Sequence, residues 1–321
     1  MASSWRRRGG AVAAFLAAAA VPVWVGGNRG YGLGTSAAIA AVLALGYQVT
    51  YGFSGQLSVA HAPLQGMGAY AVAQLMTSRG WSFWAALVPA ALLAAATGAL
   101  VGLPALRVRV DVLALVTLGA GEILQSLYLN TTTFTAGSEG ISGIPPVSVL
   151  GTRLDQAGLY AVALVMAVGT LLAVAALKRS PLGRAWFALR DDEEAARAFG
   201  VRSGWLRVLA FAVGAGVAGV AGGLYAVQDG FVSSVSFGLS QTVTVILIVL
   251  LAGEARLGRT VAAAIGVTVM VDRLAGYGGI SEGVTGVVIL AVVAGRLGVT
   301  ASALAWLRSR VLPLPAGASA R

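Results

Sequence analysis

Asp191-Asp192-Glu193-Glu194-Ala195-Ala196-Arg197-Ala198-Phe199-Gly200 is the one strongly charged run in a chain that otherwise passes from one apolar stretch to the next. Of its 321 residues 58% are hydrophobic and only 11% charged, and windows long enough to cross a bilayer recur from end to end. Four consecutive carboxylates do not belong in hydrocarbon, so the run marks a loop in water between membrane helices. The fold class that follows is an all-α polytopic membrane protein. The apolar windows consume 1–321 as a single transmembrane domain and leave no stretch for a soluble catalytic domain.

Hydropathy predicts about ten transmembrane helices, at 11–27, 35–53, 56–77, 83–106, 110–129, 156–177, 208–228, 240–254, 259–275 and 284–300. With a cytoplasmic N-terminus, the outer segments hold only Arg29, Arg79, Arg153 and Arg273 of the 22 cations. That asymmetry places both termini, the tail 301–321 and the loop 178–207 in the cytoplasm of a multi-pass protein of the cell (inner or plasma) membrane. Arg6, Arg7 and Arg8 ahead of an apolar run resemble a secretory signal, but nine further spans favour a retained first helix.

Within the loop the residues spell two short helices. Ser180-Pro181 is a helix start, with Ser as N-cap and Pro in the first turn. Leu182, Trp186 and Leu189 then recur on one face while Arg184 and Arg190 point elsewhere, giving an interfacial amphipathic turn. The second helix begins in the four carboxylates, which suit the positive end of a helix dipole, and ends at Gly200 in a left-handed cap. Ala195, Ala196 and Phe199 form a small apolar face suited to a groove on another protein. A helical but merely solvated connector is the alternative.

Several chemistries are excluded. No Cys and a single His, His61, leave no thiolate zinc site, iron–sulfur cluster or bis-His haem, so no metal and no cofactor is expected. The net charge of +10 lies between apolar segments instead of on an aromatic-studded face, which argues against nucleic acid as a partner. Gly214-Ala215-Gly216-Val217-Ala218-Gly219 matches the dinucleotide fingerprint formally, yet it lies inside an apolar helix and reads as a small-residue packing face continued by Gly222 and Gly223. The only Lys, Lys178, precedes Arg179, so there is no P-loop and no ATP hydrolysis by this chain.

Two membrane positions stand out. Tyr51-Gly52-Phe53-Ser54-Gly55 predicts a discontinuous or tightly turned helix, and exposed backbone at membrane depth is tolerated only inside protein or along a wet cavity. Gln56, Ser58 and His61 follow directly and are candidates for a translocation path. The alternative is close helix contact with locally satisfied polar groups. Glu122, near the middle of an apolar span, costs about 2.5–3.5 kcal/mol on insertion scales and is expected to face the bundle interior, with Gln125 and Ser126 sharing part of its face. It serves either to gate a path or to anchor a broken helix.

Glu194-Ala195-Ala196, then three residues, then Gly200 resembles the EAA loop of bacterial ABC-importer permeases. Gly52-Phe53-Ser54-Gly55-Gln56-Leu57-Ser58-Val59-Ala60-His61 and Gly66-Met67-Gly68-Ala69-Tyr70 resemble a block of the high-affinity branched-chain amino acid permeases. Gly102-Leu103-Pro104-Ala105-Leu106-Arg107-Val108-Arg109, Thr117-Leu118-Gly119-Ala120-Gly121-Glu122-Ile123 and Gly137-Ser138-Glu139-Gly140-Ile141-Ser142-Gly143-Ile144-Pro145 follow that family in order and spacing. The resemblance covers 35–295 and is closest to the M-type partner of such importers.

The resemblance implies an ABC importer permease fold and no enzymatic activity in this chain. It implies two ATP-binding subunits that dock on Glu194, Ala195, Ala196, Phe199 and Gly200, a second homologous permease of the H-type, and an extracytoplasmic solute-binding protein. On this basis Gly52, Ser54, Gly55, Gln56, Ser58, His61, Thr117 and Glu122 are the translocation-path candidates. Two departures exist: the family's proline before the Phe is missing from Val232-Ser233-Ser234-Val235-Ser236-Phe237, and its glycine-rich pattern is replaced by Leu251-Ala252-Gly253-Glu254-Ala255-Arg256-Leu257-Gly258-Arg259. Urea, short amides or sugars remain alternatives to branched-chain amino acids as cargo. A proton-coupled secondary transporter using Glu122, and a membrane scaffold that transports nothing, are the rivals from other classes.

Overall fold

A computed structural model describes residues 27–275 apart from 109 and 150; the expected spans 11–27 (except Gly27) and 284–300, and both termini, lie outside the described residues. The chain forms two compact units, Met1–Met270 and Val271–Arg321, and the packing that follows belongs to the first.

Helix α1, Gly27–Tyr47, runs on through a π-helical turn at Gln48–Phe53. An irregular segment, 54–60, then leads into α2, His61–Arg79. Ser82 caps α3, Phe83–Gly102, which ends in a 3-10 turn at Leu103–Leu106 and is followed by α4, Val110–Asn130. Asp155 accepts from the Gly158 amide (2.8 Å) to start α5, Gln156–Arg179. Two short helices come next, α6 at Pro181–Asp191 and α7 at Glu193–Ala198. The long α8, Ser203–Asp229, is followed by α9, Leu239–Ala252, and α10, Leu257–Ala275.

Among the described residues six helical stretches are long and apolar enough to cross a membrane: Gly27–Phe53, Phe83–Leu106, Val112–Asn130, Gln156–Arg179, Ser203–Asp229 and Ser234–Ala252. The expected count of about ten is not confirmed among the described residues. The expected spans 56–77 and 259–275 do fall on the 19-residue helices α2 and α10, but Gln65 and Gln74 in one and Arg259, Asp272 and Arg273 in the other make them less apolar than the six. At 1.5 Å per residue each is about 28 Å long, close to the hydrocarbon thickness.

Helix α8 is the hub, packing against α3, α2 and α1. Its small-residue run does what its composition implies. A Cβ on Gly68 would run into the backbone of Gly219, and one on Gly222 into the carbonyl of Gln65, so α2 and α8 meet backbone to backbone. At one end of the bundle lie two antiparallel pairs, β1 (Ile141–Ser142) with β4 (Phe231–Val232) and β2 (Ser148–Val149) with β3 (Thr152–Arg153). Trp84 Nε1 donates to the Ser148 carbonyl (3.3 Å) at that end. The other end carries the 3-10 turn, the α6–α7 loop and the 253–256 turn between α9 and α10.

A candidate coupling and translocation site

The expected break is present, but at the loop-side end of α1 and not in mid-membrane. Ser54 Oγ donates to the Thr50 carbonyl (2.7 Å), and the Gly55 and Gln56 amides reach back to Tyr51 and Thr50 (3.0 and 3.1 Å). Gly55 takes φ +73°, a backbone state that a residue with Cβ resists. The chain then doubles back as irregular, largely buried backbone that brings His61 beside Tyr47. Gln56 Nε2 donates to Ser54 Oγ (2.8 Å) and to the Arg207 carbonyl (3.5 Å), and the Val59 amide donates to Thr117 Oγ1 (3.0 Å). The non-helical amides of Gly55, Gln56 and Val59 are thus satisfied within the protein.

Seven of the eight membrane candidates meet here. Gly52, Ser54, Gln56, Ser58, His61 and Thr117 are buried, and Gly55 is half-buried. His61 opens α2 with its ring edge-on to Tyr47, centroids 5.1 Å apart. Ser58 Oγ, His61 Nε2 and Gln56 Oε1 lack a protein hydrogen-bond partner despite their burial. Such a cluster of unpaired polar atoms is suited to ordered water.

Glu122 is the eighth, and it lies elsewhere. It is exposed on the outer face of α4, against the expectation that it faces the bundle interior. The reason is the seam of α4: Leu113, Thr117, Gly121, Leu124 and Tyr128 are buried, and a Cβ on Gly121 would meet Pro63 and Ala60. A residue one position past that seam is turned away by about 100°.

The loop folds as two helices, as the residues predict. Ser180 Oγ accepts from the Gly183 amide (3.2 Å), and Trp186 and Leu189 are buried, with Trp186 Nε1 donating to the Leu206 carbonyl (2.7 Å). The four carboxylates divide differently from expectation: Asp191 ends α6, Asp192 caps α7 by accepting from the Ala195 amide (2.9 Å), and Glu193 and Glu194 occupy its first turn. Gly200 has φ +81° and closes the helix as expected. The apolar face is split, however. Ala196 turns inward at 5% exposure, whereas Ala195 is exposed and Phe199 is 89% exposed. Pairing of Glu193 with Arg197 (2.6 Å) and with the buried Arg207 holds α7 against the start of α8.

Sequence reasoning missed four of the residues that tie this end together: Gln48, Glu193, Arg207 and, as a contact residue, Arg190. Gln48 is fully buried. It donates to the Gly253 carbonyl (3.0 Å) and Thr260 Oγ1 (2.9 Å) and accepts from the Ala255 amide (2.8 Å). A buried glutamine in an otherwise apolar span was the available signal; its partners, more than 200 residues away, were not. The unexpected Glu254 accepts from the Tyr51 hydroxyl (3.3 Å) and pairs with Arg190. Among the described residues no cluster of three or more His, Cys, Asp or Glu is placed to hold a metal.

Residues 31–295 match the model of the family described as branched-chain amino acid transport system / permease component. The chain is 39% identical over 267 residues to the high-affinity branched-chain amino acid transport system permease protein LivM of Escherichia coli (strain K12), and 39% identical over 245 residues to the LivM of Salmonella typhimurium (strain LT2). The aligned parts cover 75% and 69% of this chain but 62% and 58% of those relatives' own lengths. No solved structure gives a significant match. With a family match across most of its length, this chain belongs to the permease components of branched-chain amino acid transport systems.

Proposed function

We propose that the chain is the membrane-spanning permease subunit of an ATP-driven importer, carrying branched-chain or related hydrophobic amino acids across the cell membrane with both termini in the cytoplasm. The observation that carries this reading, on a chain of this family, is the α6–α7 loop. Its base is fixed by Trp186 and the Glu193–Arg207 pair, and its tip leaves Phe199 uncovered. A braced loop with one exposed aromatic anchor is what docking requires.

ATP hydrolysis belongs to two separate ATP-binding subunits that contact Glu194, Ala195, Phe199 and Gly200, with Ala196 seating the helix from beneath. A second, homologous permease of the H-type covers the outer face of α4. Exposure of Glu122 supports that pairing, because a mid-span carboxylate facing lipid costs about 2.5–3.5 kcal/mol. An extracytoplasmic binding protein delivers cargo at the end bearing the β pairs. Gly52, Ser54, Gly55, Gln56, Ser58, His61 and Thr117 form the internal polar segment beside the path, within one permease domain. For the loop to couple, it must bind the ATPase with different strength in its two states.

Uptake of labelled leucine, isoleucine and valine into proteoliposomes tests the proposal. Import that requires the ATP-binding subunits, ATP and the binding protein is the expected result. Import by this chain alone, driven by a proton gradient, contradicts it.

A further inference from the structure

Arg190, in the last turn of α6, bridges elements that are remote in sequence. Its Nη1 donates to the Gly52 carbonyl (2.7 Å), 138 residues away. Its Nη2 pairs with the Glu254 carboxylate in the turn between α9 and α10. The Gly52 carbonyl is available because it ends a helix and lacks an intrahelical donor, and the dipole there favours a cation. The stem of Arg190 crosses Gly55, where a Cβ would lie 2.9 Å from Arg190 Cγ. A planar guanidinium holds two acceptors in fixed relation; an ammonium does not.

The parts that Arg190 joins are otherwise locked together. Gln48 clasps Gly253, Ala255 and Thr260, and Lys178 Nζ donates to the Ala255 carbonyl (2.5 Å). On the other side, Asp192, two residues on, is the N-cap of α7. The Glu193–Arg207 and Arg197–Ser203 contacts keep α7 seated on α8 and reach the break through the long bond from Gln56 Nε2 to the Arg207 carbonyl (3.5 Å). Arg190 is the charged side chain of α6 that donates directly to the backbone of the break.

We propose that Arg190 is the positioning residue that transmits displacement of the cytoplasmic loop to the re-entrant segment 54–60, with Glu254 as its second anchor. This rests on the importer reading. The residues that replace the family's glycine-rich pattern thereby gain a role, since Glu254 fixes the far end of the guanidinium.

The test uses the complete complex of this chain with its partner permease, ATP-binding subunits and binding protein, in proteoliposomes, and measures ATP hydrolysed and amino acid imported. In Arg190→Gln the ATPase stays bound and active, while import per ATP falls about tenfold, within the ordinary range of coupling between sites. Glu254→Gln alters a residue 43% exposed in its side chain, so folding is preserved and a smaller loss of the same kind is expected. The reversal Arg190→Glu with Glu254→Arg re-forms the ion pair but not the donor to the Gly52 carbonyl, so import per ATP is expected to stay low. Unchanged import per ATP in both single variants overturns the proposal. So does loss of the ATPase from Arg190→Gln alone, which would make Arg190 part of the dock. If the unaltered chain retains no ATPase, the importer reading itself fails, and this inference with it.

Discussion

Glu122 shows what a single residue type can and cannot reveal. A carboxylate in the middle of an apolar span is legible in sequence as a buried, partnered group. Which interior buries it is not legible, because that depends on the 100° step from the α4 seam at Leu113, Thr117, Leu124 and Tyr128. The chain by itself leaves it outside, and in the function proposed above the second permease is the group that shields it. Replacing it by an apolar residue separates the two environments. Glu122→Leu is expected to stabilise the chain alone by about 3 kcal/mol in membrane insertion while weakening its pairing with the second permease. The chain contains no cysteine, so Glu122→Cys introduces a single thiol. That thiol is expected to cross-link to a cysteine in the partner permease, and accessibility only to lipid-soluble reagents would contradict the assignment. Phe199 and Ala196 carry the same lesson on a smaller scale: three apolar residues suggest one face, and the fold turns one of them inward.

At the scale of elements, the short-range signals were the reliable ones. Ser180, Gly200, the small-residue run of α8 and the break after Tyr51 were all readable, because caps, left-handed glycines and close helix contacts depend on a few neighbouring residues. The depth of the break and the clasp of Gln48 on the 253–256 turn were not, since both depend on which helices meet. The α2–α8 contact gives a paired prediction. Gly68→Val places a branched side chain against the Gly219 backbone and is expected to cost about 3 kcal/mol or more, seen as lost folded yield and a lower melting temperature in detergent. Gly169→Ala in α5 meets nothing within 4 Å and is expected to stabilise by about 0.5–1 kcal/mol. Equal behaviour of the two variants would show that α2 and α8 do not touch at their backbones.

At the scale of the molecule, apolar composition was enough for a helical membrane protein, and the family came from the motifs at 52–70, 102–145 and 194–200. Helices α2 and α10 reach spanning length yet carry polar residues, so they rank below the six most apolar stretches. The end bearing the α6–α7 loop gathers the helix caps, the Gln48 clasp and the Arg190 and Glu193 ion pairs, and it is where the account places the exchange between ATP hydrolysis and transport. The most direct test is to tag the chain, solubilise it gently from its native membrane, and identify what accompanies it. The account predicts a P-loop ATPase that is retained by the unaltered chain. It also predicts that Phe199→Asp loses this ATPase, because an interface anchor contributes about 2 kcal/mol, roughly thirtyfold in affinity, while an exposed side chain contributes little to folding. Recovery of the chain without an ATPase, or undiminished recovery of the ATPase with Phe199→Asp, would contradict it.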